Sequence, residues 1–277
     1  MSAGFLEEMA AASRARLDAA RQLLSEAVLA ERAQRLPPPP ALRLAAQGFD
    51  LIAELKLRSP AAGALGAHTA GLSERVTGYA RAGAAAVSVL TEPSRFDGSL
   101  GDLGEAAAAL TPFGVPAMRK DFLLDPYQVL EARGAGAGGV LLILRLLRRP
   151  ALDALLDCAR SCGLFVLLEA FDEHDLELLH ETVATHAGTH TLLAGVNCRD
   201  LTTLEVVPRR LLELAPRLPA AVPWVAESGV ATAADARAVA AAGYALALVG
   251  SALMRASAPG ALVHTLLAAG RAARGAR

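Results

Sequence analysis

The chain reads as an α/β protein, a (β/α)8 barrel of the TIM type with an N-terminal helical extension, on three observations. From residue 49 onward, short apolar runs of strand length alternate with longer amphipathic stretches. Three helix-to-strand junctions, RAGAAAVSVL, GAGAGGVLLI and AAGYALALVG, each place a glycine between an alanine-rich helix end and an apolar run. Polar and charged residues collect at the carboxyl ends of those runs, where barrel enzymes build their sites. Periodicity by itself does not separate the barrel from a doubly wound open sheet, which produces the same alternation.

Residues 4 to 34 carry apolar residues at helical spacing, with Glu7, Glu8, Arg14, Arg16 and Arg21 on the other face, and predict one amphipathic helix. The stretch LPPPPALR at 36 to 43 stops it and predicts a stiff extended spacer. The division expected is therefore a helix and proline-rich connector over 1–47 and a barrel over 48–273. Strands are predicted at 50–55, 86–90, 115–118, 139–144, 164–169, 192–196, 223–227 and 245–250. Helical patterns fall at 72–82, 99–110, 126–135, 150–161, 173–185, 206–216, 232–242 and 258–273. The repeated glycine supplies the left-handed residue that ends a helix before the next strand.

A chain of 277 residues exceeds an average domain but fits a single α/β barrel with a large core. With 27 basic against 28 acidic residues it has no global field for nucleic acid, and a small anionic substrate needs a local site. The N-terminal stretch mixes charges among its apolar residues, unlike a signal peptide. The longest apolar runs, such as GGVLLIL at 138–144, fall far below the roughly 20 residues a bilayer requires. These features predict a soluble cytoplasmic protein. The 3 cysteines lack metal-type spacing, and Cys158 and Cys162, one helical turn apart, suit free thiols in a reducing compartment.

Side chains alternate along a strand, so Ile52, Glu54 and Lys56 share one face, and by parity Leu141 and Ile143 also turn inward. Lys120 follows the third run, Glu169 ends the fifth, Asn197 follows the sixth, and Glu227 and Ser228 close the seventh. An unpaired charge in an apolar barrel is costly unless it pairs or meets a ligand. Salt bridges that merely close the barrel top are the plainer alternative; convergence of charges from at least three strands favours a site. AESGV at 226–230 and LVGSALM at 248–254 each place Gly and Ser after a strand, the second at a helix start, which suits a phosphate. His186 and His190 have metal-compatible spacing but sit in ATHAGTH, which reads as a surface loop. Cys158 falls on a helix away from the strand ends, and Trp224 reads as core.

On these residues the chain resembles the indole-3-glycerol-phosphate synthase family from about residue 48 to 262. The resemblance rests on IAELKLRSP at 52–60, SVLTEPSRFDGSL at 88–100, MRKDFLLDPYQVLEARGAGA at 118–137 and LLEAFDEHDL at 167–176. GVNCRDLTTLEV at 195–206, VAESGV at 225–230 and LVGSALMRASAPG at 248–260 complete it. It implies closure of 1-(o-carboxyphenylamino)-1-deoxyribulose 5-phosphate to indole-3-glycerol phosphate, with loss of carbon dioxide and water and with neither cofactor nor metal. The catalytic set it implies is Lys120, Lys56, Glu54, Glu169, Asn197 and Ser228. Lys120 would be the general acid of ring closure, Lys56 the partner of the substrate carboxylate and an acid in dehydration, Glu54 a base, and Glu169 the group that orients the lysines.

By the same resemblance Asn197 and Arg199 line the anthranilate side, Phe122 packs on the aromatic ring, and Leu141 and Ile143 form apolar walls. Ser59, Ser228, Gly229, Gly250 and Ser251 hold the phosphate, with Glu227 also among the substrate-binding residues. Family analogy makes the N-terminal extension a cover for the substrate. The expected partner is a phosphorylated small molecule, without nucleic acid or membrane, for a monomer or weak homodimer. Leu57, Ala61, Cys198, Ala170 and Phe171 depart from the family pattern, and none removes a proton-transfer group. A phosphoribosyl-anthranilate isomerase-like sugar-phosphate isomerase and a catalytically silent barrel are the alternatives; the first would need a cysteine and an aspartate in place of the two lysines.

Overall fold

The computed structural model describes residues 4–46, 48–59, 63–64, 71–200 and 203–275. Its strands are β1 (Asp50–Leu55), β2 (Ala86–Leu90), β3 (Ala117–Lys120), β4 (Gly139–Ile143), β5 (Phe165–Ala170), β6 (Leu192–Asn197), β7 (Trp224–Glu227) and β8 (Leu246–Val249). Each is hydrogen-bonded in parallel to its sequence neighbour, and β8 returns to β1 with Asp50 opposite Leu246. Closure removes both sheet edges and excludes the open-sheet alternative. The helices are α1 (Phe5–Leu23), α2 (Glu26–Arg35), α3 (Leu72–Arg81), α4 (Leu100–Leu110), α5 (Pro126–Gly134), α6 (Arg149–Ser161), α7 (Glu173–His186), α8 (Arg209–Leu214), α9 (Ala233–Ala242) and α10 (Pro259–Arg274). Among the described residues no helix is long and apolar enough to cross a membrane.

Strand parity sorts the core into two layers. Ile52, Ala86, Met118, Leu141, Phe165, Leu167, Leu193, Val225, Leu246 and Leu248 fill the barrel. Their neighbours, such as Leu51, Ala53, Val87, Val140 and Leu168, pack outward with the helices. Local chemistry sets the ends of the units. Asp125 accepts from the Tyr127 N–H, Asp172 from those of His174 and Asp175, and Thr232 with Asp235 forms a capping box. Gly83, Gly136 and Gly243 have φ of 93°, 85° and 114°, the left-handed conformation expected at all three repeated junctions.

Several boundaries differ from the sequence reading. The expected single helix over 4–34 is two, because Leu24 turns extended at φ −144° and the Ser25 hydroxyl caps a new helix by accepting from the Val28 N–H at 3.5 Å. Strand β3 lies two residues later than 115–118, since Pro116 has no N–H to give and the ladder to β2 runs from Ala117 to Lys120. The helix expected over 206–216 shortens to α8 because Val206 bridges Arg199 and the Val207 N–H bonds the Cys198 carbonyl. Trp224 is half-buried rather than core, with its indole N–H donating to Pro219 O at 2.6 Å. His186 is the last residue of α7, 3.3 Å from Asp153, whereas His190 lies in the loop before β6 as expected but is half-buried, with Nε2 2.7 Å from Leu164 O.

The extension runs from one end of the barrel to the other. Met9, Phe5 and Leu6 of α1 join the interior cluster beside Phe122, Ile143 and Phe171. Leu17 of α1 and Leu29 and Ala33 of α2 pack on Tyr127 and Leu130 of α5. The proline connector then crosses the opposite end as an anchored strap: Arg133 donates to Leu36 O at 3.0 Å and Pro37 O at 2.5 Å, and Leu42 packs on the interior cluster. At the floor, Gly139 leaves room for the Phe165 ring, because a Cβ there would sit 2.3 Å from Phe165 Cε1. Gly139→Ala is therefore expected to destabilise the barrel by about 1–3 kcal/mol through overpacking. Urea unfolding measures this, and a wild-type midpoint would contradict the tight floor.

Candidate active site

The carboxyl ends of five strands aim charge or amide groups at one point. Lys56, just past β1, puts Nζ 2.7 Å from Glu54 Oε1. Lys120 at the end of β3 puts Nζ 3.6 Å from Glu169 Oε2 on β5 and 3.4 Å from Glu227 Oε2 on β7. Asn197 at the end of β6 donates from Nδ2 to the other oxygen of Glu169 and accepts from the Arg199 N–H at 3.0 Å. All of these groups line one cavity of about 500 Å³. The three carboxylates are almost completely buried, whereas the Lys56 and Lys120 side chains keep 12% and 16% exposure, so the amines face the open space.

Two glycines make this crowding possible. Gly195 occupies an inward position of β6, where a Cβ would lie 2.2 Å from Glu227 Oε1. Gly250, directly after β8, would place a Cβ 2.2 Å from Glu54 Oε1. Each glycine is the empty volume into which a carboxylate fits.

Three carboxylates crowd around the two lysine amines, and like charges held this close in a buried place resist full ionisation. Burial, reinforced by the neighbouring Glu169, pushes the Glu227 pKa up to about 8 against the pull of Lys120. Its Oε1 is buried without a hydrogen-bond partner. Burial opposes the charge of Lys120, but Glu169, Glu227 and Glu54 outweigh it and raise its pKa above the ordinary lysine value. Lys120 is thus an ammonium through the neutral range.

The remaining predicted residues are placed around this centre. Phe122, Leu141 and Ile143 are buried walls of the cavity, and Phe122 meets Phe5 edge-on with ring centroids 6.1 Å apart. Arg199 lines it and donates to Leu204 O at 2.7 Å. Ser228, Gly229, Gly250 and Ser251 line it from the adjacent loops after β7 and β8. Ser228 and Gly229 are both left-handed, with φ of 66° and 75°, and such a conformation at a non-glycine residue is characteristic of functional loops. Ser59 falls in a two-residue antiparallel ribbon opposite Gly63; its side chain lies outside the described residues.

Sequence reasoning missed several contributors. Gly195 could have been found from its parity with Leu193 and Asn197. Arg255 lines the cavity and ends the short helix Ser251–Arg255 that follows β8, four residues after Ser251. Phe5 and Leu6 also line it, but nothing local marks them. Asp121 anchors the segment that carries Lys120 and Phe122. It accepts from Arg16 at 2.6 Å, Thr91 at 2.7 Å, Arg119 at 3.1 Å and the Phe122 N–H at 2.9 Å. Burial opposes that carboxylate's charge, yet Arg119 and Arg16 hold its pKa below the usual range. Ser13 adds a bond from its hydroxyl to Phe122 O at 2.6 Å, so α1 is bolted to the segment that follows the central lysine.

Fold and site together define a (β/α)8-barrel enzyme whose charged cavity suits acid–base chemistry on a small anionic molecule. The chain belongs to the indole-3-glycerol phosphate synthase family, whose model matches residues 6–266. The match therefore takes in the extension, beyond the 48–262 read from motifs. The indole-3-glycerol phosphate synthase of Parafrankia sp. (strain EAN1pec) is 44% identical over 267 residues, 96% of this chain and 96% of the relative. That of Mycolicibacterium gilvum (strain PYR-GCK) is 41% identical over 273 residues, 97% and 96% of the two chains. Among solved structures, 3-hexulose-6-phosphate synthase from Salmonella typhimurium superposes with a TM-score of 0.59 at 13% identity, over 81% of this chain and 99% of its own. Thiamine phosphate pyrophosphorylase from Pyrococcus furiosus gives 0.55 at 16% identity, over 82% and 96%. At such identities these two share the fold alone.

Folding raises the Glu227 pKa above the ordinary 4.5, so the folded state binds the extra proton. The stability tied to that proton is complete below about 4.5 and is lost as pH rises through about 8. Wild-type unfolding free energy should accordingly fall between those limits relative to Glu227→Gln; parallel curves from denaturant titrations would mean that Glu227 is ionised throughout. Gly195→Ala, by displacing the Glu227 carboxylate, is expected to lower kcat/KM by about 100-fold. Steady-state rates equal to wild type would show that the carboxylate has room to spare.

Proposed function

We infer that the chain converts 1-(o-carboxyphenylamino)-1-deoxyribulose 5-phosphate to indole-3-glycerol phosphate, releasing carbon dioxide and water, the carboxy-lyase step of tryptophan biosynthesis. The observation that carries this is the family match over residues 6–266 in a chain whose two lysines and three glutamates share one cavity. Every step of the reaction is a bond formation, an elimination or a proton transfer, and the cavity offers groups suited to each.

The substrate phosphate would sit at the loops of Ser228–Gly229 and Gly250–Ser251. Its aromatic ring would lie against Phe122 between the walls of Leu141 and Ile143, with Asn197 and Arg199 along the anthranilate side. Lys56 would pair with the carboxylate. A neutral Glu227 suits a ligand that brings negative charge at both ends, because it adds none of its own.

In ring closure the anilino ring carbon attacks the ketone, and Lys120 delivers a proton to the oxygen as its charge develops. An ammonium whose pKa is raised gives up its proton late, when the oxygen is already close to an alkoxide. Glu169, held by Asn197, keeps the ammonium aimed. Loss of carbon dioxide returns the bonding electrons to the ring. For dehydration, Lys56 protonates the departing hydroxyl, and Glu54, 2.7 Å from it, accepts the proton whose loss completes the indole.

The purified chain supplied with the carboxyphenylamino-deoxyribulose phosphate should generate indole fluorescence. Lys120→Met should keep the fold by circular dichroism and lose about 100- to 10,000-fold in kcat. Binding of the compound without turnover by the wild type would favour a silent barrel, and turnover by Lys120→Met at the wild-type rate would remove the lysine from the chemistry.

A further inference from the structure

Phe171 is a wall of the cavity to which the acid–base chemistry gives no part. The inward row of β5, which includes Glu169, continues past the strand end in Phe171, and this residue is almost fully buried yet lines the cavity. Strand order gives its ring a counterpart. Leu141 and Ile143 stand on β4, which is hydrogen-bonded to β3 on one side and to β5 on the other. Phe122 follows β3 and Phe171 follows β5, so the two rings flank one apolar wall, and all four side chains line the cavity.

The two flanks are built differently. Phe122 has two ring neighbours, Phe5 and Phe96, with centroids 6.1 and 6.4 Å away. Phe171 is held by a cation instead. The Arg145 guanidinium, from the turn Leu144–Leu146 after β4, stands 4.5 Å from the Phe171 centroid and is not itself part of the cavity lining, so it backs the ring from outside. Asp175, which is buried, accepts from Arg145 Nη2 at 2.6 Å and Nε at 3.0 Å and from the Phe171 N–H at 2.7 Å. One carboxylate thus fixes both the cation and the backbone that carries the ring, and Asp172 adds a second hold on Arg145 Nη2 at 2.8 Å. A cation over one face of an aromatic ring draws π density toward itself and leaves the opposite face better suited to an electron-rich ring.

We propose that Phe171 is a specificity-determining residue for the aromatic part of the ligand, closing the ring pocket on the side across from Phe122, with Arg145 and Asp175 as positioning residues that hold it there. The proposal rests on the carboxyphenylamino substrate inferred above and adds to it the element that measures the size of that ring. An anilino ring seated on Leu141 and Ile143 has Phe122 on one flank and Phe171 on the other, so a substituent on a ring carbon turned toward Phe171 meets a wall that cannot give way without breaking the contacts of Arg145.

The test measures kcat/KM of the full chain for the parent compound and for analogues methylated singly at each free ring carbon. The wild type is expected to turn over the parent and to reject at least one analogue. Phe171→Ala should raise the kcat/KM of that analogue relative to the parent by about tenfold or more, and Arg145→Met, which leaves the ring but removes its backing, should move the same ratio in the same direction by a smaller factor. A purely structural loss lowers parent and analogue alike and leaves the ratio where it was. Phe171→Leu disturbs the packing less and should shift the ratio in the same sense, which keeps the test decisive where the alanine variant does not fold. A wild type that accepts every analogue as well as the parent, or ratios that stay at the wild-type value in the Phe171 variants, would overturn the proposal alone. A wild type inert toward the parent compound would overturn the functional reading, and the proposal with it.

Discussion

The structure turns on one ammonium, that of Lys120, suspended among buried carboxylates. A lysine at the mouth of an apolar barrel is stable only with counter-charge close by, and Glu169 and Glu227 stand 3.6 and 3.4 Å from its Nζ. They come from β5 and β7, so the ion cluster binds strands that are not neighbours in the barrel. Stability alone would ask for one carboxylate. The further acids crowd one another, so that burial and Glu169 push the Glu227 pKa up to about 8, and shifted groups gathered in one cavity mark a candidate site rather than a simple salt bridge.

Crowding so many charged atoms into one barrel end requires absent atoms elsewhere. Gly195 and Gly250 are the counterparts of Glu227 and Glu54 in that sense, and Gly139 plays the same part for Phe165 at the floor. Large and absent side chains thus alternate between neighbouring strands. The charged end and the apolar end obey the same packing rule.

Period-two alternation was enough to turn Glu54, Leu141 and Ile143 inward, because strand geometry leaves a side chain only two directions. The glycine at each helix end was equally readable, since only a residue at ease with positive φ ends a helix and turns at once into a strand. What escaped has a common cause. Gly195 is silent in a hydrophobicity pattern, and its meaning lies in a carboxylate on another strand. Arg16 and Asp121 are 105 residues apart, and no local rule pairs them. The break at Ser25 was marked by a good capping residue, yet the apolar periodicity on either side of it masked the signal.

The extension is held unevenly along its length. From Met9 onward α1 is fixed by buried contacts: Ser13 to Phe122, Arg16 to Asp121, and the Tyr127 hydroxyl near the carbonyls of Ala20 and Leu24. Its first turn, which carries Phe5 and Leu6 over the cavity, has as its outer tie the Glu8–Arg95 ion pair, with both side chains about half exposed, 48% and 47%. Exposed pairs of that kind contribute about 1 kcal/mol or less. The tie of the first turn is thus separate from the clamp that Arg16 and Arg119 put on Asp121, beside the lysine.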